Sequence, residues 1–258
     1  MIEMERFPEG FHALVQGASR GIGLGFVEAL LDHPRAGRVI ATARQPDAST
    51  GLQELAAKHG ERLRLLPLDV TDEAAVAGLR DAASAEVDRL HLVINAAGVL
   101  HDGEGLFPEK KLDDLQLTNL EKSFRVNAFG PLLVSRALAP LLTHREHAVL
   151  ANISARVGSI GDNHLGGWYA YRGAKAAQNM FTRGVAVELG RRAKKLVCVA
   201  LHPGTTDTGL SEPFQQRVPE HKLFPVSRTV EQLLAVIDTL GPEHSGRFFG
   251  WDGAEIPW

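Results

Sequence analysis

The stretch Phe11-His-Ala-Leu-Val-Gln16 runs straight into Gly17-Ala-Ser-Arg-Gly21-Ile-Gly23, and no other feature constrains this chain as strongly. The apolar run reads as a strand, and the segment from about Ile22 to Asp32 has helical period. Between them, glycines permit a tight turn and a close approach of backbone to a bound anion. The helix N-terminus adds unpaired N–H donors and a favourable dipole. Strand, glycine turn and helix in this order form the phosphate-binding opening of an α/β fold. The spacing is Gly-x3-Gly-x-Gly, not Gly-x-Gly-x-x-Gly.

The rest of the chain alternates in the same way. Further strands are read at Arg38–Thr42, Leu63–Leu68, Leu90–Ile94, Ala148–Ile153, Leu196–Leu201 and Gly246–Gly250. Helices are read at Asp72–Val87 with Thr71 as N-cap, Glu121–Leu142 kinked or started near Pro131, Gly167–Gly190 and Thr229–Leu240. Alternation of this kind predicts a Rossmann-type, doubly wound parallel sheet of seven strands in the order 3-2-1-4-5-6-7, with helices on both faces. No linker or repeat interrupts it, so residues 1–258 are expected to form one domain. His101–Lys111, with glycines, charges and Pro108, reads as a loop over the strand ends.

Charge and cysteine usage exclude several classes. Against 31 acidic residues stand 28 basic ones, a net charge of -3, which argues against nucleic-acid or membrane partners. The single cysteine, Cys198, lies in the apolar run Leu196–Ala200 and reads as a buried strand residue; no intrachain disulfide can form. The N-terminus lacks the pattern of a signal peptide, and no apolar stretch is long enough for a bilayer span. A cytoplasmic enzyme without a metal site is expected.

Tyr171-Arg-Gly-Ala-Lys175 carries the chemistry. Residues four apart share one helix face, so phenol and ammonium can serve one site. A nearby ammonium stabilises phenolate and is expected to lower the tyrosine pKa by about 1–3 units. Tyr169 is the poorer candidate, because four residues on it meets Gly173.

Taken together, these motifs resemble the short-chain dehydrogenase/reductase family from Phe11 to the C-terminus. The resemblance implies that Gly17, Ser19, Arg20, Gly21, Ile22 and Gly23 bind the cofactor phosphates, and that Asp69-Val70 contacts the adenine. It further implies that Asn95-Ala96-Ala97-Gly98 supports the sheet and lines the cofactor, and that Pro203-Gly204 with Thr206 and Thr208 covers the nicotinamide. Tyr171 would exchange the proton, Lys175 would tune it and hold the nicotinamide ribose, and Asn127 would anchor a relay water. The substrate class implied is a small carbonyl or secondary alcohol. Strand two ends Ala41-Thr-Ala-Arg44, with no acid before Asp47, and Arg20 lies in the glycine turn. Two arginines suit a ribose 2′-phosphate, so NADP(H) is expected in preference to NAD(H).

One member of the family's catalytic set is missing. The serine expected at the end of strand five corresponds to Ala155 in Asn152-Ile-Ser-Ala-Arg-Val-Gly158-Ser-Ile. Alternation turns Ser154 to the other face, which leaves Ser159 as the nearby substitute donor. Arg156–Ile160, Gly166–Arg172 and the ending Pro242–Phe249 to Ile256–Trp258 resemble the C-factor and sniffer-like branch. That branch admits a second reading, an NAD(P)-binding signalling protein with vestigial catalysis. The tail aromatics Phe248, Phe249, Trp251 and Trp258 could pack in the core, close the site or form a subunit interface. Apolar residues on more than one face of helices Glu121–Leu142 and Gly167–Gly190, among them Phe124, Leu132, Leu133, Val134, Ala176, Met180, Phe181 and Val185, predict a homodimer or homotetramer.

Overall fold

The computed structural model describes residues 2–258. Seven parallel strands form one sheet: β1 (Phe11–Gln16), β2 (Ala36–Ala43), β3 (Leu63–Pro67), β4 (Leu92–Asn95), β5 (Ala148–Ile153), β6 (Leu196–His202) and, last in the chain, β9 (Phe248–Gly250). Their order is β3-β2-β1-β4-β5-β6-β9, the order expected from the alternation. The short strands β7 (Thr205–Thr206) and β8 (Leu223–Phe224) pair separately, in the segment that follows β6.

Each central strand is buried on both sides, and its side chains alternate between two cores. Ala13, Val15, Leu92, Ile94, Val149, Ala151, Val197 and Val199 face one core. It is covered by Phe26, Val27 and Leu30 of α1 (Gly21–Asp32), by Leu52 and Leu55 of α2 (Thr50–His59), and by Leu233 and Ile237 of α7 (Val226–Thr239). Leu14, Ile40, Val93, Leu150 and Cys198 face the other. There they meet Val76 and Leu79 of α3 (Glu73–Ser84), Val134 and Leu138 of α5 (Gly130–Leu142), and Ala186 and Leu189 of α6 (Tyr169–Leu189). Burial pushes the Cys198 thiol up to about 12, so it stays protonated.

Three local expectations are corrected. Helix α3 is capped by Asp72, whose carboxylate accepts from the N–H groups of Ala74 and Ala75; Thr71 instead donates its hydroxyl to Asp69 at 2.7 Å. Helix α2 has no counterpart in the sequence reading, because its buried face is only Leu52 and Leu55. The long helix before β5 is interrupted: α4 (Leu117–Phe124) passes through a π-helical turn at Arg125–Phe129 into α5, whose first turn holds Pro131. The disturbance expected near Pro131 therefore lies one turn earlier.

Histidines gather where the strands begin. His12 is in β1, His91 precedes β4, and His144 and His147 precede β5. Burial lowers the pKa of His12 and His91 and pushes that of His147 down to about 4. A histidine held neutral in the fold binds fewer protons than in the unfolded chain, so stability is retained above the unfolded pKa near 6.5 and declines as pH falls toward 4. Between pH 6.5 and 5, His147 alone should cost about 1–2 kcal/mol, a drop of roughly 4 °C in Tm by calorimetry. An equal Tm at both pH values would refute this.

Candidate active site

Parallel strands end on one side of the sheet, and the loops beyond β1, β4, β5 and β6 enclose a cleft of about 1340 Å³. Such a volume exceeds the usual small-ligand pocket and can hold a dinucleotide beside a small substrate. The glycine turn forms its floor. Gly17 and Gly21 have φ of 83° and 56°, which favours glycine. A Cβ on Gly23 would stand 2.1 Å from the Gly17 carbonyl oxygen, so only glycine lets helix α1 start so close to strand β1. No side chain caps the N-terminus of α1, and no acid lies in its first turn. This is the donor set a pyrophosphate needs.

Of the residues expected to hold the cofactor, Gly17, Ser19, Arg20, Gly21, Ile22, Gly23, Arg44, Asp69, Val70, Ala96, Ala97, Gly98, Pro203, Gly204, Thr206 and Thr208 all line this cleft. Arg20 and Arg44 are exposed and, among the described residues, make no salt bridge. Burial pushes the Asp69 carboxyl up, but hydrogen bonds from Thr71 and the nearby Arg44 charge outweigh it and hold the pKa below the ordinary value. Asn95 is buried away from the cleft; its amide donates to Asn152 Oδ1 at 2.7 Å, and Asn152 donates to Thr182 on α6. It ties β4 and β5 to α6.

Tyr171 and Lys175 both line the cleft, one turn apart on α6, with Lys175 Nζ 5.7 Å from the centre of the phenol ring. The ammonium donates to the Ile153 carbonyl at 2.9 Å and to Gln178 Oε1 at 3.0 Å. Asn127 sits in the π-helical turn and is fully buried. Its amide donates to the Val99 carbonyl at 2.8 Å, and its Oδ1 accepts from the Val99 N–H at 2.9 Å. A Cβ on Gly98 would lie 3.2 Å from Asn127 Oδ1 and 4.0 Å from Lys175 Nζ, so the β4 loop, the π turn and α6 converge at one point. π-Helical turns of this kind recur at functional sites.

Residues 11–219 match the profile of the family described as short chain dehydrogenase. The chain belongs to the short-chain dehydrogenase family. Over 167 residues it is 39% identical to the C-signal protein of Myxococcus xanthus, covering 65% of this chain and 92% of that one. It superposes on the NADPH-bound carbonyl reductase from chicken fatty liver with a TM-score of 0.86 at 32% identity, covering 98% and 100% of the two chains. The carbonyl reductase Sniffer of D. melanogaster gives 0.83 at 27% identity, covering 96% and 99%.

The protonation pattern at Tyr171 and Lys175 differs from the sequence expectation. Burial raises the Tyr171 phenol above the ordinary tyrosine range, rather than the ammonium lowering it. The same burial pushes Lys175 down to about 7, so its positive charge is only partial at neutral pH and its donors are turned to Ile153 and Gln178. Tyr171 therefore carries its proton at neutral pH.

Ala155 lines the cleft with extended backbone, φ -148° and ψ 145°. Ser159 is not brought there: it is buried outside the cleft lining, and its hydroxyl accepts from the Asp162 N–H at 3.1 Å. The loop 156–158 is a tight 3-10 turn that folds Ser159 inward, which the sequence spacing does not show. Ser154 donates to Asn179 Oδ1 at 2.6 Å. Sequence reasoning also missed Gln16, whose Oε1 accepts from the Ala97 N–H, and Gln178, whose position three residues after Lys175 was the available signal. His202 and Phe214 line the cleft as well, with no motif to mark them, as does Trp168 from within the segment Gly166–Arg172. The tail aromatics are chiefly packing residues: Phe248 and Phe249 are buried, Trp258 stacks on Phe248, and Trp251 packs on Phe224.

Proposed function

We propose that the protein, acting as one unit over residues 1–258, interconverts a carbonyl compound and a secondary alcohol with NADP(H), in the cytoplasm. The observation that carries this reading is that Tyr171 and Lys175 line the same cleft as the uncapped glycine turn. NADPH, when bound, supplies the hydride. The chain's own groups do the rest. Gly17–Gly23 and the α1 N-terminus hold the pyrophosphate, and Asp69-Val70 and Ala96–Gly98 flank the adenosine half. Pro203-Gly204, Thr206 and Thr208 cover the nicotinamide. The protonated Tyr171 phenol gives its proton to the carbonyl oxygen, and takes one back in the oxidative direction. Lys175 steadies the phenol's charge change and holds the ribose, and Asn127 keeps a water on the path from Lys175 to solvent. Support comes from the carbonyl reductases that the fold resembles, one of which is described as NADPH-bound. NADPH consumption against a panel of carbonyl compounds tests the reading.

Preference for NADP(H) over NAD(H) is assigned to Arg20 and Arg44, two exposed cations that line the cleft and, among the described residues, make no salt bridge. Wild-type protein should bind NADPH at least about 10-fold more tightly than NADH, and Arg44→Asp should narrow or reverse that difference. Calorimetric titration reads it, and equal affinities in the wild type would rule it out.

Ala155 favours a second reading, a C-signal-like regulatory protein that binds NAD(P) and turns over weakly. Retention of the Tyr171, Lys175 and Asn127 set supports the enzyme. Self-association into dimers or tetramers is also proposed. Met180 and Val187 on α6 and Phe129 at the π turn are exposed, an apolar stripe beyond what the sheet covers.

A further inference from the structure

Three consecutive residues before α6 have left-handed backbone: Gly166, Gly167 and Trp168, with φ of 64°, 63° and 52°. Glycine adopts this conformation freely, but a bulky aromatic holds it only where its surroundings impose it. The imposing residue is Glu109, in the loop after β4. Its carbonyl accepts from the Trp168 N–H at 2.6 Å, and its carboxylate accepts from the Ala170 N–H at 3.2 Å. Glu109 is 3% exposed, and its second carboxylate oxygen is buried without a partner. The carboxylate thus sits at the N-terminus of the helix that bears Tyr171, where the dipole favours a negative charge.

This clamp turns Trp168 into the cleft. The indole ring lies 6.4 Å from the Tyr171 ring, edge to face, and 4.9 Å from Phe214. Phe214 in turn packs against Phe107 and His101, at 5.3 and 6.1 Å, and His101 Nε2 is bonded to the Gly209 carbonyl. Rings from three separate segments therefore meet beside Tyr171. His101, Trp168 and Phe214 all line the cleft.

Building on the reductase reading, we propose that Trp168 and Phe214 form a wall selecting planar aromatic carbonyl compounds, and that Glu109 is the positioning residue that holds Trp168 in it. Aromatic faces reward a flat ring with offset or edge contacts that an aliphatic chain cannot make. The probes are 2-acetylnaphthalene and butanone, titrated calorimetrically into NADPH-saturated protein. Trp168→Gly removes the ring while relieving the left-handed strain, and Phe214→Leu keeps bulk without the ring. Each should weaken acetylnaphthalene binding by about 10-fold and leave butanone and NADPH affinity within about twofold. Glu109→Ala keeps the main-chain bond to Trp168 but loses the Ala170 bond, so it should show part of the loss seen in Trp168→Gly, and Glu109→Gln should restore binding, because its amide oxygen still accepts from Ala170. The proposal is overturned if the wild type does not prefer acetylnaphthalene, if the variants weaken both probes equally, or if Glu109→Ala binds like the wild type. No NADPH consumption with either carbonyl, beside the expected binding pattern, would instead overturn the reductase reading alone.

Discussion

Replacing Tyr171 by Phe should lower NADPH-dependent carbonyl reduction by about 10²–10⁴-fold while leaving NADPH affinity within about twofold. The variant deletes one oxygen and keeps the ring that packs against Trp168. Its fold should survive, because Tyr171 makes no side-chain hydrogen bond to the protein among the described residues. Burial keeps the phenol protonated at neutral pH, so reduction finds its acid in place and oxidation should gain rate as pH rises. Spectrophotometric NADPH consumption beside a fluorescence titration separates chemistry from binding. Turnover close to wild type in Tyr171→Phe would mean that the proton comes from another group.

Ala155→Ser is expected to raise turnover by about 10-fold or more, with little change in cofactor affinity. The position lines the cleft in extended backbone that serine adopts without strain. Neither neighbouring hydroxyl is placed to serve: Ser154, although it lines the cleft, donates its proton to Asn179 Oδ1, and Ser159 lies outside the cleft lining. A hydroxyl installed at 155 would supply the donor that steadies the developing oxyanion, a contribution worth about 10²–10³-fold where it is native. Parallel measurement of kcat and KM reads the effect, because a transition-state donor acts on kcat. No gain in kcat would show that the cleft already supplies this donor, or that the chemistry does not need it.

The strands were legible because each is a short apolar run, the central ones buried on both faces, and the sheet order followed from their alternation with helices. The glycine turn after β1 was legible for a different reason: its glycines are required by φ and by backbone contact, and both constraints leave a mark in sequence. Helix α2 escaped because two apolar residues make too narrow a stripe to set a period. The π-helical turn escaped because one extra residue in a helix leaves no compositional trace. Ser159 was misjudged for a related reason, since four residues of loop fix a distance along the chain and not a direction. Protonation was the least legible. Two groups four apart promise a charge interaction, but their common burial acts on each of them first. Glu109 and Trp168 lie 59 residues apart, and no local pattern joins them.

Because every strand of the main sheet points the same way, the chain has two ends with different histories open to them. At one end the histidines where β1, β4 and β5 begin are locked into packing, so a substitution there registers as lost protein. At the other, loops 101–111 and 205–224 hang from finished strands and can change length or side chain while the cores beneath stay intact. A lineage carrying this fold can therefore exchange one substrate for another through those two loops and the turn 166–168 before α6. Selection on what the protein recognises and selection on whether it persists fall on different residues.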